Sequence, residues 1–263
     1  MKSRNKKRLG AKAFLLKEMV LRDIRSRYVG SGLGALWAFA NPILWMVLYT
    51  AVFAGVLRVP IPAGFASFPE FLLAGLLPWM AIQEAISRSA SALPDNAAMV
   101  KKTVFPLETL ILSIVSAAIV NQVIAFFVFG IYVALIGHFS PAWVLLAIPA
   151  LLLQALLTFG LASLAATVTV FVRDAVHAVG ILLTIVFYAT PIVYPVALVP
   201  DRYRPIVDAN PVSHLVEWYR RAFTLHTWPE PGSVLFLTAA AGVAALAGMA
   251  LFARARPHFA DLI

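Results

Sequence analysis

Few residues in this chain are placed to do chemistry, and their spacing excludes most reactions. Glu84 and Arg88 stand four apart, a separation that lets them pair on one face of a helix. They read either as a structural ion pair or as part of a substrate path. Five histidines, at 138, 177, 214, 226 and 258, are scattered without metal-ligand spacing. His177 beside Asp174 reads most simply as a pair at a helix end. The chain has no cysteine, which removes disulfides, thiol nucleophiles and thiolate metal sites. GxxxxGK followed by Ser or Thr is absent, so no phosphate-cradling loop is present to hydrolyse ATP. HExxH and GxSxG are absent as well. Apart from Glu84 and Arg88, no ionisable residue sits mid-way along an apolar stretch, which leaves a proton relay little to run on.

Aromatic side chains are the other chemical resource. Trp37, Asn41, Trp45, Tyr49 and Phe53 follow one another in steps of four, a slowly spiralling stripe on one helix. The stripe reads as ordinary helix packing or as a lining on which flat rings meet the C–H faces of sugars or a lipid chain. Ala40-Asn41-Pro42 recurs as Ala209-Asn210-Pro211, but not at corresponding positions of two halves, so chance recurrence is the reading and Pro42 a helix kink.

The elements that carry these residues are membrane spans. Apolar residues make up 62% of the 263, charged residues 13%, and the mean hydropathy is +0.88. A span needs about 20 apolar residues to cross roughly 30 Å of hydrocarbon. Leu33–Leu57, Thr109–Ile136, Ala142–Val172, Ala175–Tyr194 and Ser233–Ala253 meet that length, and Pro69–Leu93 is a sixth with a polar second half. The first run is longer than a signal peptide and lacks a small-residue cleavage pattern, so it is expected to stay. Ten of the 21 Lys and Arg residues precede it, from Lys2 to Arg27. Six spans put these together with Lys101, Lys102, Arg173, Arg254 and Arg256 on the cytoplasmic side; five would strand Arg173 and the C-terminal arginines outside. The net charge of +9 therefore reads as topology, with no nucleic-acid partner.

Two further segments stand out. In Lys12–Val29, Leu16, Val20, Ile24 and Tyr28 recur every four residues among charges, the pattern of an amphipathic helix in the membrane interface. Pro195–Gly232 is long, apolar in part and cut by prolines, and is expected to form short amphipathic or re-entrant helices before the last span. There Trp218, Tyr219 and Phe223 are expected to face lipid or an opposing gate, with Arg220 and Arg221 at headgroup depth to hold lipid or carrier phosphates.

The run RDIRSRYVGSGLGALWAFANPILWMVLYTAVFAGVL resembles the opening of polysaccharide-export permeases of the type-2 ABC transporter group, which serve O-antigen, capsule and teichoic-acid export. The likeness continues through GLLPWMAIQEAISRSASALPDNAAMVKKTVFP, FVRDAVHAVGILLTIVFYATPIVYP and VPDRYRPIVDANPVSHLVEWYR to PHFADLI. KKTVFP and PHFADLI are closer to the O-antigen and teichoic-acid branch. The resemblance implies one all-α permease domain over 1–263 in a bacterial inner membrane: a basic segment and interface helix at 1–31, spans 1–5 over 33–194, an outer gate loop at 195–232, span 6 at 233–253 and a cytoplasmic tail at 254–263. It implies a homodimer bound to two copies of an ATP-hydrolysing subunit that holds ATP and Mg, so this chain needs no cofactor. The cargo it implies is a polysaccharide on a polyprenyl-diphosphate carrier.

By position, the resemblance assigns contact with that ATPase to Arg22, Asp23, Arg25, Arg27 and Tyr28 in the interface helix. It assigns a coupling helix to Pro94–Lys102, with Asp95, Asn96, Lys101 and Lys102, and a second contact to Arg173 and Asp174. Trp37, Trp45, Tyr49, Phe53, Glu84, Arg88, Phe187 and Tyr188 are the candidates for the substrate path, and Trp218, Tyr219, Arg220, Arg221 and Phe223 for the outer gate. The competing readings are a membrane enzyme acting on lipid-linked sugars and a self-contained channel.

Overall fold

The computed structural model describes residues 2–26, 36–62, 64–101 and 105–263, and every regular element among them is helical. In chain order the α-helices are α1 (Lys2–Ser26), α2 (Trp37–Tyr49), α3 (Phe68–Asp95), α4 (Ala97–Val100), α5 (Leu107–Leu135) and α6 (Ala142–Phe171). They are followed by α7 (Ala175–Ala189), α8 (Arg204–Asp208), α9 (Pro211–Arg220), α10 (Pro231–Ala255) and α11 (Phe259–Leu262). Arg27, Tyr28 and Lys102 lie outside the described residues.

Helix α3 is the axis. Ser67 caps its start by accepting the Glu70 N–H (3.3 Å), and Glu70 reaches back to the Ala66 N–H (2.6 Å), a variant of the capping box. Leu72, Ala74, Ala90 and Leu93 are fully buried along it, where α5, α6, α7 and α9 pack. Pro78 interrupts the helical donors of α3, and its carbonyl takes an N–H from Gln154 of α6 (3.2 Å). At the other end Thr169 of α6 donates to the Ala90 carbonyl, so the two helices are tied along their length.

Helices α6 and α10 approach backbone to backbone. A Cβ on Gly160 would lie 2.3 Å from the Ala244 carbonyl carbon, and one on Gly248 would lie 2.3 Å from the Gly160 oxygen. Ala241 and Ala245 are buried on the same face of α10, while Leu235, Val243 and Leu246 point outward. Small residues inside and large apolar ones outside are what helix packing in lipid requires, because dispersion at close range replaces the hydrophobic drive.

By length and hydropathy three helices suffice to cross a membrane among the described residues: Leu107–Leu135, Ala142–Phe171 and the run Pro231–Leu262. Three expected spans differ. The first runs as α2 and then continues as a π-helical segment, Thr50–Val56, ending at Arg58, whose φ of 51° is left-handed. Helix α3 is long enough but carries Gln83, Glu84 and Arg88 in its second half. The fifth was expected to reach Tyr194, yet α7 stops at Ala189, about 22 Å of helix. Residues 190–193 then turn inward, with Thr190, Ile192 and Val193 buried.

The α6–α10 contact sets the first test. Gly160→Ala is expected to destabilise the folded protein by ~1–3 kcal/mol, since backbone has to move to admit the methyl group. Gly242→Ala, on α10 with open space beside it, is expected to hold or slightly raise the melting temperature in detergent, because alanine is the better helix former.

Candidate functional site

A half-open cavity of about 880 Å³ lies between α2, α3, α5 and α7. Trp37, Asn41, Trp45 and Tyr49 of α2 form one wall, and Trp79, Glu84 and Arg88 of α3 form the next. Asn121 and Gln122 of α5 and Thr184, Phe187 and Tyr188 of α7 complete it. Twelve residues separate Trp37 from Tyr49, so this wall runs about 18 Å along the helix. Every expected path residue except Phe53 lines it. Phe53 continues the α2 stripe beyond the cavity instead, stacked on Tyr49 at 5.9 Å and on Phe68 at 6.4 Å. Trp45–Tyr49 (5.5 Å), Trp79–Phe187 (5.9 Å) and Phe187–Tyr188 (5.1 Å) give the walls contiguous ring surface.

Between the rings stand neutral amides and hydroxyls. Gln122 is the most constrained: its amide exchanges hydrogen bonds with Gln154 (3.0 and 2.6 Å), and the Tyr219 hydroxyl donates to the Gln154 carbonyl oxygen (2.7 Å). The lone glutamines in two apolar runs were the available signal for this clamp, and the sequence reading passed over them. Asn41 lines the cavity while Asn210 caps α9 through the Val212 N–H (3.0 Å) and bonds Thr190 (2.7 Å), so the repeated Ala-Asn-Pro does two unrelated jobs.

Glu84 and Arg88 do pair, at 3.2 Å. The sequence did not reveal their third partner: Arg88 also holds Asp23 of α1 with both terminal nitrogens. Asp23 therefore sits on the stripe Leu15, Leu16, Met19, Val20, Asp23, Ile24 that packs on the rest of the protein, while Lys17, Glu18, Arg22 and Arg25 are exposed. Asp95, Lys101, Arg173 and Asp174 are exposed at the ends of α3, α4 and α6. Asn96 is half-buried and closes α3, donating to the Ala92 carbonyl (2.8 Å). His177 and Asp174 share a backbone hydrogen bond (3.1 Å) in place of the expected side-chain pair. Beside α4, the tail docks through Phe259, fully buried against Phe252, and Arg256 pairs with Glu108 of α5 (2.9 Å).

The outer-loop expectation needs correction. Short helices form there as expected, but Trp218, Tyr219, Arg220 and Phe223 are buried in the protein instead of facing lipid or headgroups. The Trp218 indole donates to the Leu146 carbonyl (3.0 Å), and Phe223 packs among Phe126, Phe129 and Trp143. Arg220 donates to the Ile192 carbonyl (2.7 Å) and lies 3.7 Å over the Phe71 ring. Burial lowers the pKa of Arg220 and the Glu217 carboxylate opposes that shift. Arg221 is the half-exposed one, paired with Glu217 (3.1 Å) and Glu230 (3.2 Å). Helix α9 is amphipathic, as expected, but its apolar face meets the protein and not lipid. Glu70 was missed too: it is fully buried and holds the His138 ring at 3.3 Å.

Residues 15–224 match the model of the ABC-2 type transporter family. The chain is 34% identical over 252 residues, 95% of each protein, to an O-antigen export system permease protein of Myxococcus xanthus. It is 30% identical to one from Klebsiella pneumoniae over the full length of both, and 25% identical to a polysialic acid transport protein of Escherichia coli, over 89% of this chain and 90% of that one.

The docking of α9 on α3 depends on Gly75, where an added Cβ would meet Val216 at 2.9 Å and the Arg220 guanidinium at 3.2 Å. Gly75→Ala is expected to cost ~1–3 kcal/mol, and Val216→Ala in the same chain to recover part of it. Thermal unfolding of the two single variants and the double variant in detergent measures the coupling.

Proposed function

We propose a function from one premise: this chain belongs to the ABC-2 type transporter family. It is the permease subunit of an exporter of O-antigen-like or related polysaccharide. The cargo is a glycan on a polyprenyl-diphosphate carrier, taken from the cytoplasmic side of a bacterial inner membrane. ATP and Mg are held by a separate subunit, two copies of which serve a homodimer of this chain. Six spans, both termini cytoplasmic, follow from counting α2 with its π-helical extension, α3, α5, α6, α7 and α10 as crossings.

The observation that carries the cargo assignment is the cavity wall. Sugars present apolar C–H faces and outward hydroxyls, and a path for them needs flat ring faces interleaved with neutral hydrogen-bonding groups. Trp37, Trp45, Tyr49, Trp79, Phe187 and Tyr188 supply the rings, and Asn41, Gln83, Asn121 and Thr184 the polar groups. Long ring-to-ring contact without a deep charged well favours sliding over tight capture. The half-open side of the cavity and the exposed apolar face of α7, where Leu183 alone is buried, favour closure by a second copy. Exposed charges on α1, Asp95, and the Arg173–Asp174 turn supply the surface offered to the ATPase.

Leucine at Trp45 or Tyr49 keeps apolar packing and removes a ring face worth ~1 kcal/mol, so glycan export is expected to fall about fivefold with the amount of folded protein unchanged. Export measured in cells carrying the partner ATPase checks this, and full export returns the stripe to packing alone. Co-purification of a nucleotide-binding subunit separates this reading from a membrane enzyme, which would turn over a lipid-linked sugar without one.

A further inference from the structure

One guanidinium belongs to two parts of this protein at once. Among the described residues Arg88 is the sole Lys or Arg lining the cavity, and Glu84 the sole acid. The same Arg88 binds Asp23, the acid on the packed stripe of α1, through both terminal nitrogens, with Nη1 to Oδ2 at 3.0 Å. Helix α1 otherwise lies along α5 through a shallow apolar stripe. Among its described side chains Met19 alone is buried, and the rest of the stripe is half-covered.

The joint is also wet. Side-chain exposure is 36% for Arg88, 16% for Asp23 and 28% for Glu84. An ion pair that water can reach costs little to separate, whereas separating a buried one strands a charge. Arg220, the other arginine packed against α3, is 3% exposed and has no such freedom. Arg also has the reach to change partners: its long stem can stay on the α3 surface while the planar head turns.

We propose that Asp23–Arg88 is a latch that opens in each transport cycle. Displacement of α1 withdraws Asp23, and the guanidinium turns into the cavity while keeping Glu84. The closed latch thus holds α1 and withholds a fork of N–H donors from the cavity; the open latch offers that fork to the hydroxyls of the passing glycan. Arg88 is in this sense a positioning residue that converts movement of α1 into a change of the cavity wall. The proposal rests on the exporter reading, in which α1 lies against the ATP-hydrolysing subunit.

Because the chain has no cysteine, Asp23→Cys with Arg88→Cys places a unique thiol pair across the joint. Membrane vesicles holding this variant and its partner ATPase are treated with a short bifunctional methanethiosulfonate, and the joined peptides are identified by mass spectrometry. Cross-linking is expected to drop glycan export to the level of vesicles lacking the chain, and reductant to restore it. Undiminished export by the cross-linked protein overturns the proposal and leaves a static brace. Should the double cysteine variant export nothing even when reduced, Asp23→Cys alone decides: its labelling rate by a water-soluble methanethiosulfonate is expected to rise severalfold when the partner ATPase is supplied with ATP, and a rate unchanged by ATP rejects the latch. Failure of the exporter reading itself shows differently, as absence of glycan export by the unaltered chain with its ATPase.

Discussion

The amide of Gln154 is the interaction on which the helical arrangement rests. It is fully buried, and both its atoms are engaged: the nitrogen donates to the Pro78 carbonyl and to Gln122, and the oxygen accepts from Gln122 and Tyr219. Four helices, α3, α5, α6 and α9, meet in this one group. In surroundings without water each of these polar atoms left alone would cost several times what a solvated one does, so the four helices have a single mutual setting that satisfies them. Helix α3 runs unbroken through Pro78, whose carbonyl takes the second Gln154 N–H.

With α3 fixed from one side, its opposite side becomes a wall. Helix α2 touches α5 and α3, α7 touches α3 and α6, and the cavity lies between α2 and α7. Large rings dominate its lining, with Leu76, Leu77 and Leu183 among them. Rings lean on one another along the wall, Trp45 tilted against Tyr49 one turn on and Phe187 edge-on to its neighbour Tyr188, which holds the ring surface in place.

How much of this was legible in the sequence depends on whether the signal was periodic. The positions of α3, α5, α6 and α10 followed from apolar runs, and the path residues of α2 from a step of four, because both are local, whereas the early end of α7 at Ala189 did not. What covers an amphipathic face, protein or lipid, was not legible. Helix α9 was taken for a surface element since Trp218, Tyr219 and Arg220 suit a headgroup region equally well. Their partners, the Leu146 carbonyl, Gln154 and the Ile192 carbonyl, lie 28 to 72 residues away along the chain. Asp23 was misjudged for a similar reason. It was counted with the charged face of α1 because its pairing with Arg88 spans 65 residues and no short-range rule reports it.

The two ends of the molecule are held by different physics, and this bears on what can move. Toward the loop 195–232, α9 is anchored by a buried arginine, a buried indole and a fully buried tyrosine, and α3 begins at a carboxylate with no exposure. Pulling any of these out would strand a polar group in an apolar core. At the other end, beside the buried Thr169 and Phe259, the ion pairs Arg88–Asp23 and Arg256–Glu108 are partly exposed, and water can replace them group by group. A gate made by α9 peeling away from its own protomer is therefore the costly motion. In the exporter reading, an outer opening comes more cheaply from two protomers shifting as rigid bodies about α7, with the rearrangement inside each protomer confined to the end where α1 is pinned.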